Sequence, residues 1–320
     1  MEFYKPSRAI NCDIDIDTSS VQGKTAFVTG GASGIGEVYV RSLCKAGAGH
    51  VLIADFNDNA GDKLATELGK DKATFVHCDV TSWSDQVAAF KKAKEVSPTG
   101  AIDIVVANAG IVASDDVFNH EDLEANEPKE PDLSVVKVNL IGVVYTTKLA
   151  GWYFAKQFAR AQKEGREAHV DQSLVLQASV AGYLDLIGVP QYTLTKFAVR
   201  GLMRSLRQTG PWTGMRVNLI APWYIDTTLI PEESRQAIQE SGAEWAKVED
   251  CGPALLRIVA DRKVNGRAVG IFPRNWNGCS RGYKDLDIDN FEWGSFLRNA
   301  QDKALAPTAW TIKQGQNAGV

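Results

Sequence analysis

The chain is poor in the residues that mark metal, disulfide or hydrolase chemistry. Four histidines (His50, His77, His120, His169) are scattered along 320 residues without an HExxH pair, which speaks against a metal site. Five cysteines (Cys12, Cys44, Cys78, Cys251, Cys279) are an odd number without a CxxC pair, so free thiols in a reducing compartment are expected. The one serine in a GxSxG setting, Ser280 in "GCSRG", stands in a polar, Gly- and Asn-containing stretch and not between an apolar strand run and a helix, which argues against a serine hydrolase. No apolar run approaches the roughly 20 residues that span a bilayer. The start, "MEFYKPSRAINCDIDID", has neither the apolar stretch of a secretory signal nor the acid-poor composition of a transit peptide, and a cytoplasmic protein is the expectation. Strong charge of one sign is also missing. A net charge of −4 and a pI near 5.7 give no electrostatic case for nucleic acid or an anionic membrane. The one basic series, Lys196, Arg200, Arg204 and Arg207 at helical spacing, reads as a solvated helix face whose first lysine is functional.

What is present is an ordinary globular composition, 44% hydrophobic and 23% charged, in an ordered alternation. After a polar arm (residues 1–22), the apolar runs "TAFVTGG", "HVLIADF", "ATFVHCDV", "IDIVVANAG", "SLVLQAS", "MRVNLIAPW" and "RAVGIF" alternate with segments of helical period. Runs apolar on successive residues mark strands buried on both faces, and helices between them imply right-handed crossovers. The expected fold is α/β: a single doubly wound Rossmann domain over residues 23–274, with a parallel sheet of about seven strands. Residues 225–247 are long enough for a substrate lid. Residues 275–320, with Trp276, Tyr283, Phe291 and Trp293, are expected to form a C-terminal extension packed partly on the surface.

The first strand runs into "VTGGASGIGEVYV", where Gly30, Ser33, Gly34, Ile35 and Gly36 join strand to helix. Glycine allows the tight turn and close backbone approach, and the helix N-terminus offers N–H groups to a pyrophosphate. A glycine triplet alone is weak evidence, but here an acid closes the next strand: Asp55, nineteen residues after Gly36 and followed by Phe56. A carboxylate at that place accepts ribose hydroxyls and repels a 2′-phosphate. None of Ala32, Ser33, Phe56 and Asn57 is basic, so NAD is expected over NADP.

The glycine spacing TGxxxGxG resembles that of the short-chain dehydrogenase/reductase family, and the likeness runs over most of residues 22–273. "CDV" (Cys78, Asp79, Val80) is similar to the family's adenine-side loop and "ANAG" (Asn108, Ala109, Gly110) to the motif after the fourth strand. "VNL" with Asn139, "ASVAG" with Ser179, and "YTLTK" with Tyr192 and Lys196 follow in the family's order. Each fragment is common; the ordered set is specific. The chain most resembles the NAD-dependent 15-hydroxyprostaglandin-dehydrogenase-type members, and its extended tail resembles that of fungal secondary-metabolite enzymes.

Tyr192 and Lys196 stand four apart and share a helix face. A free phenol has a pKa of about 10, and bringing it to roughly 7 takes about 4 kcal/mol. An ammonium about 5 Å away supplies on the order of 3 kcal/mol at an effective dielectric of about 20, and a positively charged nicotinamide could supply the rest. The pair then works as an acid/base unit, with Ser179 holding the substrate oxygen. The resemblance further implies that Lys196 binds the nicotinamide ribose, that Asn139 supports a water chain, that Thr227 and the backbone around Ile225 hold the carboxamide, and that Pro222 belongs to the cofactor site. Standing alone, Ser179 reads as a strand-end cap and Asn139 as an interior amide.

One departure stands out. In "APWYIDT" Trp223 replaces the family's usual glycine after Pro222. We read it as a wall of an apolar substrate pocket, shared with Tyr224, Leu229 and Ile230 and with Tyr183, Leu184 and Leu186 opposite; a plain core role for Trp223 is the alternative. The resulting expectation is an NAD-dependent alcohol dehydrogenase/ketoreductase for a hydrophobic small molecule, forming a homodimer or homotetramer through its long helices as family members commonly do. The competing readings are a non-redox cyclase or isomerase on the same fold and cofactor, and a dinucleotide-sensing module without turnover.

Overall fold

The computed structural model describes residues 7–113, 117, 124–186, 188–230, 232–276 and 278–286. His120, and most of the expected C-terminal extension with Phe291 and Trp293, lie outside the described residues.

In chain order the elements are β1 (Thr25–Thr29), α1 (Gly34–Lys45), β2 (His50–Asp55), α2 (Asp58–Leu68), β3 (Ala73–His77), α3 (Trp83–Val96), β4 (Ile104–Ala107), α4 (Ser134–Val136), a π-helical turn (Lys137–Gly142), α5 (Val143–Lys163), β5 (Gln172–Gln177), α6 (Pro190–Thr209), β6 (Met215–Pro222), α7 (Glu232–Glu240), α8 (Cys251–Ala260), β7 (Ala268–Ile271) and β8 (Tyr283–Asp285). Local chemistry sets several of the helix starts. Asn57 and Ser82 accept the N–H groups of Ala60 and Asp85 at the starts of α2 and α3, and α6 begins at Pro190, whose missing N–H costs nothing there.

The strand order is β3-β2-β1-β4-β5-β6-β7-β8, with every pair parallel except β7–β8. Successive strand residues point to opposite faces, so each run divides its apolar side chains between two cores. Val28, Ile53, Val106 and Val175 pack with Tyr39 and Leu43 of α1 and Leu255 and Ile258 of α8. Phe27, Leu52, Val105 and Leu174 pack on the other side with Phe90 of α3, Phe154 of α5 and Met203 of α6. The order reverses between β1 and β4, and doubly wound sheets open their binding crevice beyond the strand ends at such a point.

The sequence reading stopped the sheet at about seven strands and placed the arm and the extension outside it. In the structure, Tyr283–Asp285 form an eighth, antiparallel strand on β7. The reason is electrostatic as much as apolar. Asp285, its side chain 5% exposed, accepts from Arg267 Nε at 2.8 Å, pairs with its Nη2 at 2.6 Å, and takes the Ile10 N–H at 2.6 Å. Arm, β7 and β8 therefore share one buried ion pair, a pattern that hydropathy does not show.

Candidate functional site

A cavity of about 990 Å³ lies beyond the carboxyl ends of β1, β2, β4, β5 and β6. Gly30 and Gly34 adopt positive φ (60° and 53°), a region open to glycine at little cost. Gly36 answers to closeness instead: a Cβ there would stand 1.8 Å from the Gly30 carbonyl oxygen and 2.7 Å from Asn108 Nδ2. Asn108 in turn donates to the carbonyls of Thr29 and Gly30, both at 3.0 Å, and so shapes the loop from the next strand over. Ser33, the residue before α1, makes no side-chain cap, so the first-turn N–H groups are left for the cavity, which Ser33, Gly34, Ile35 and Gly36 line. At the tip of β2, Asp55 accepts the N–H of Ala32 through Oδ2 and of Asn57 through Oδ1, both at 2.9 Å. Phe56, Asp79, Val80, Asn108, Ala109 and Gly110 line the same cavity. A glycine cradle, an open helix N-terminus and a carboxylate at the second strand's tip fit a dinucleotide.

Ser179, Tyr192 and Lys196 also meet on the cavity wall. Ser179 follows β5, its Oγ 3.4 Å from the Pro222 carbonyl, and its hydroxyl bonds to the Tyr192 phenol. One helical turn on, Lys196 Nζ stands over the Tyr192 ring, 5.2 Å from its centroid, and donates to the Gln177 carbonyl at 3.2 Å. Asn139 is not on the cavity surface. It is fully buried in the π-helical turn, where its amide takes the Ile111 N–H and donates to the Ile111 carbonyl, each at 2.8 Å. Such one-turn insertions cluster at functional sites, and this one turns Asn139 toward the segment after β4.

Burial acts on both members of the Tyr192–Lys196 pair. Packing strips water from the Tyr192 phenol and raises its pKa above the ordinary value, with the Ser179 hydrogen bond acting the other way. Burial also lowers Lys196 to about 8. The lysine therefore does not by itself acidify the tyrosine, because desolvation disfavours both charged forms.

On the substrate side, Leu186, Trp223, Tyr224, Leu229 and Ile230 line the cavity, as do Pro222, Ile225 and Thr227. Tyr183 and Leu184 do not. The Tyr183 ring lies under the Arg200 guanidinium at 4.0 Å, and Leu184 is 45% exposed. The turn Val180–Gly182 carries them past the cavity, a rotation that apolar character alone does not reveal. Trp223 both lines the cavity and packs: its Nε1 donates to the Glu244 carbonyl at 3.0 Å, and its ring meets Trp276 at 5.2 Å and Tyr224 at 4.8 Å.

Residues 24–238 match the model of the short chain dehydrogenase family. The chain belongs to that family. It is 36% identical over 281 residues to a 5'-hydroxyaverantin dehydrogenase of Dothistroma septosporum, a match covering 83% of this chain and 89% of the relative. A 5'-hydroxyaverantin dehydrogenase of Emericella nidulans is also 36% identical, with 82% and 88% covered. An NADP-dependent dehydrogenase of a Phoma species is 32% identical, with 84% and 80% covered. Among solved structures, a 3-ketoacyl-(acyl-carrier-protein) reductase from Brucella melitensis complexed with NADH superposes with a TM-score of 0.65 at 25% identity, covering 78% of this chain and 97% of that one. As a short chain dehydrogenase, this protein is an oxidoreductase of alcohols and ketones that works with a nicotinamide dinucleotide. The narrower likeness to 15-hydroxyprostaglandin dehydrogenases is not carried by these matches.

Sequence reasoning missed Gln177, Val189 and Ile238, all on the cavity wall. Gln177 had a signal, a lone amide ending the apolar run "SLVLQ"; Val189 and Ile238 had none, because Val189 stands in the loop before α6 and Ile238 on α7, outside the sheet, where packing sets the path. Among the described residues no cluster of three or more metal-ligand side chains forms, and no helix is long and apolar enough to cross a membrane.

Proposed function

We propose that this dehydrogenase oxidises a secondary alcohol on a hydrophobic small molecule of secondary metabolism, using NAD. The observation that carries the reading is the placement of Ser179, Tyr192 and Lys196 at one part of a cavity that also holds the glycine cradle and Asp55. Gly34, Ile35 and Gly36 would hold the pyrophosphate through first-turn N–H groups, and Asp55 the adenosine ribose hydroxyls. When bound, the dinucleotide supplies the hydride-accepting ring and a positive charge beside the phenol.

Ser179 holds the substrate oxygen by a hydrogen bond, and Tyr192 takes the hydroxyl proton as the carbinol carbon gives up its hydride. Lys196, tethered to the Gln177 carbonyl, stabilises the phenolate that this demands. Asn139, locked to Ile111, keeps the backbone after β4 in place behind the lysine. The preference for NAD is supported by Asp55 and by the cavity's cations, which among its described lining residues are Lys137 and Lys196 alone. The preference for an apolar substrate is supported by Leu186, Val189, Trp223, Tyr224 and Leu229 on the opposite wall.

Purified protein given a panel of hydrophobic secondary alcohols should reduce NAD, read by the absorbance of the reduced nicotinamide. The Tyr192→Phe variant should lose about three orders of magnitude in kcat, within the range for removal of an acid/base group. Absence of turnover on every alcohol with either NAD or NADP, or full activity in Tyr192→Phe, would overturn the proposal.

A further inference from the structure

Gln177 ends β5 at a place where its neighbours are aliphatic. Val175, two residues back on the same face, is fully buried among apolar side chains. Gln177 is itself only 6% exposed, and a buried amide is unfavourable unless its hydrogen bonds are met. One is met within the protein. Tyr39 Oη, fully buried on α1, donates to Gln177 Oε1 at 2.8 Å. The amide nitrogen keeps two N–H donors with no acceptor among the described residues, and what exposure the residue has opens on the cavity that it lines. The backbone carbonyl of this same residue accepts Lys196 Nζ.

These contacts make Gln177 a junction. Its side chain is tied to the helix that follows the glycine loop, its carbonyl to the lysine, and Ser179 stands two residues on. The terminal torsion of a glutamine is broad and nearly two-fold, so without a fixed partner the amide would rotate freely. The Tyr39 hydroxyl removes that freedom and leaves the N–H side toward the cavity. A strand-end leucine would fill the space without the cost of burying two polar groups.

Resting on the cofactor reading above, we propose that Gln177 is a positioning residue for the dinucleotide. Its side-chain N–H donates to an oxygen acceptor in the nicotinamide half, with Tyr39 holding the amide in register. The nicotinamide half is chosen because the same residue carries Lys196 and adjoins Ser179.

The test compares Gln177→Leu and Tyr39→Phe with the wild type by calorimetric titration with NAD and with ADP-ribose, which lacks the nicotinamide. Gln177→Leu should weaken NAD binding about tenfold, the effect of one buried hydrogen bond, and leave ADP-ribose within about twofold. Tyr39→Phe should weaken NAD about threefold and leave ADP-ribose unchanged. The pH profile of kcat should stay in place in both, because the carbonyl that holds Lys196 is retained. Equal loss for the two ligands, or loss for neither, overturns the proposal; should Gln177→Leu not fold, the same criterion applies to Tyr39→Phe alone. Wild-type protein that binds no NAD refutes the parent reading, whereas a wild type that turns over beside unaffected variants refutes only this one.

Discussion

Replacing Asp55 by Asn removes one charge at nearly constant shape and tests what selects the cofactor. The carboxylate is held by the N–H groups of Ala32 and Asn57, both at 2.9 Å, so its place is set before any ligand arrives. A 2′-phosphate carries a charge of about −1.5 to −2 near neutral pH. At about 5 Å and an effective dielectric of about 20, each unit of that charge meets roughly 3 kcal/mol of repulsion. Solvent and salt at this open rim reduce the total by about half, leaving about 3 kcal/mol, or a discrimination on the order of 100-fold. Asp55→Asn should therefore lower the ratio of kcat/KM for NAD to that for NADP by about 100-fold. That figure is relief of the repulsion alone, and weaker acceptance of the ribose hydroxyls should add to it. Because the repulsion is electrostatic, wild-type discrimination should also shrink as ionic strength rises. Steady-state kinetics with both cofactors at a saturating alcohol give the answer. A wild type that prefers NADP, as one named relative does, or a ratio that moves less than about threefold in the variant, refutes the role of Asp55.

Three further outcomes follow from the geometry. Lys196, lowered to about 8 against an ordinary 10.5, is protonated in both folded and unfolded chains below pH 8; between about 8 and 10.5 only the unfolded chain keeps the proton, so stability should rise with pH by about 3 kcal/mol from this group. Denaturant unfolding of Lys196→Met across that range should lack the rise, and parallel curves for variant and wild type would refute the assignment. Gly36→Ala puts a methyl 1.8 Å from a backbone carbonyl that has no flexible end to move, so NADH affinity measured by fluorescence titration should fall more than tenfold, with a lower melting temperature. Asp285→Asn removes the carboxylate charge that this residue sets against the buried Arg267 guanidinium, a loss of about 1–3 kcal/mol, and should lower the melting temperature by several degrees while the β7–β8 pairing loosens to hydrogen exchange; unchanged exchange there would sink that account.

Much of this protein is legible in its sequence. Strands buried on both faces must be apolar on successive residues, so "HVLIAD" and "SLVLQ" declare themselves, and a tight strand-to-helix turn needs glycine where Gly30, Gly34 and Gly36 stand. The four-residue step from Tyr192 to Lys196 could only share a face, whatever the helix packed against. Those features are local, set by backbone geometry and periodicity, and one dimension records them. Other features were decided only when distant segments met. Which apolar side chains reach the cavity depends on how a turn rotates, so Leu186 lines it and Tyr183 lies under Arg200 instead. The direction of the Tyr192 and Lys196 shifts depends on how much water the surrounding layers remove. The eighth strand exists because Arg267, Asp285 and the backbone of Ile10, far apart in the chain, can satisfy one another only inside the folded protein. Desolvation and pairing are properties of neighbours in space, and no spacing along the chain encodes them.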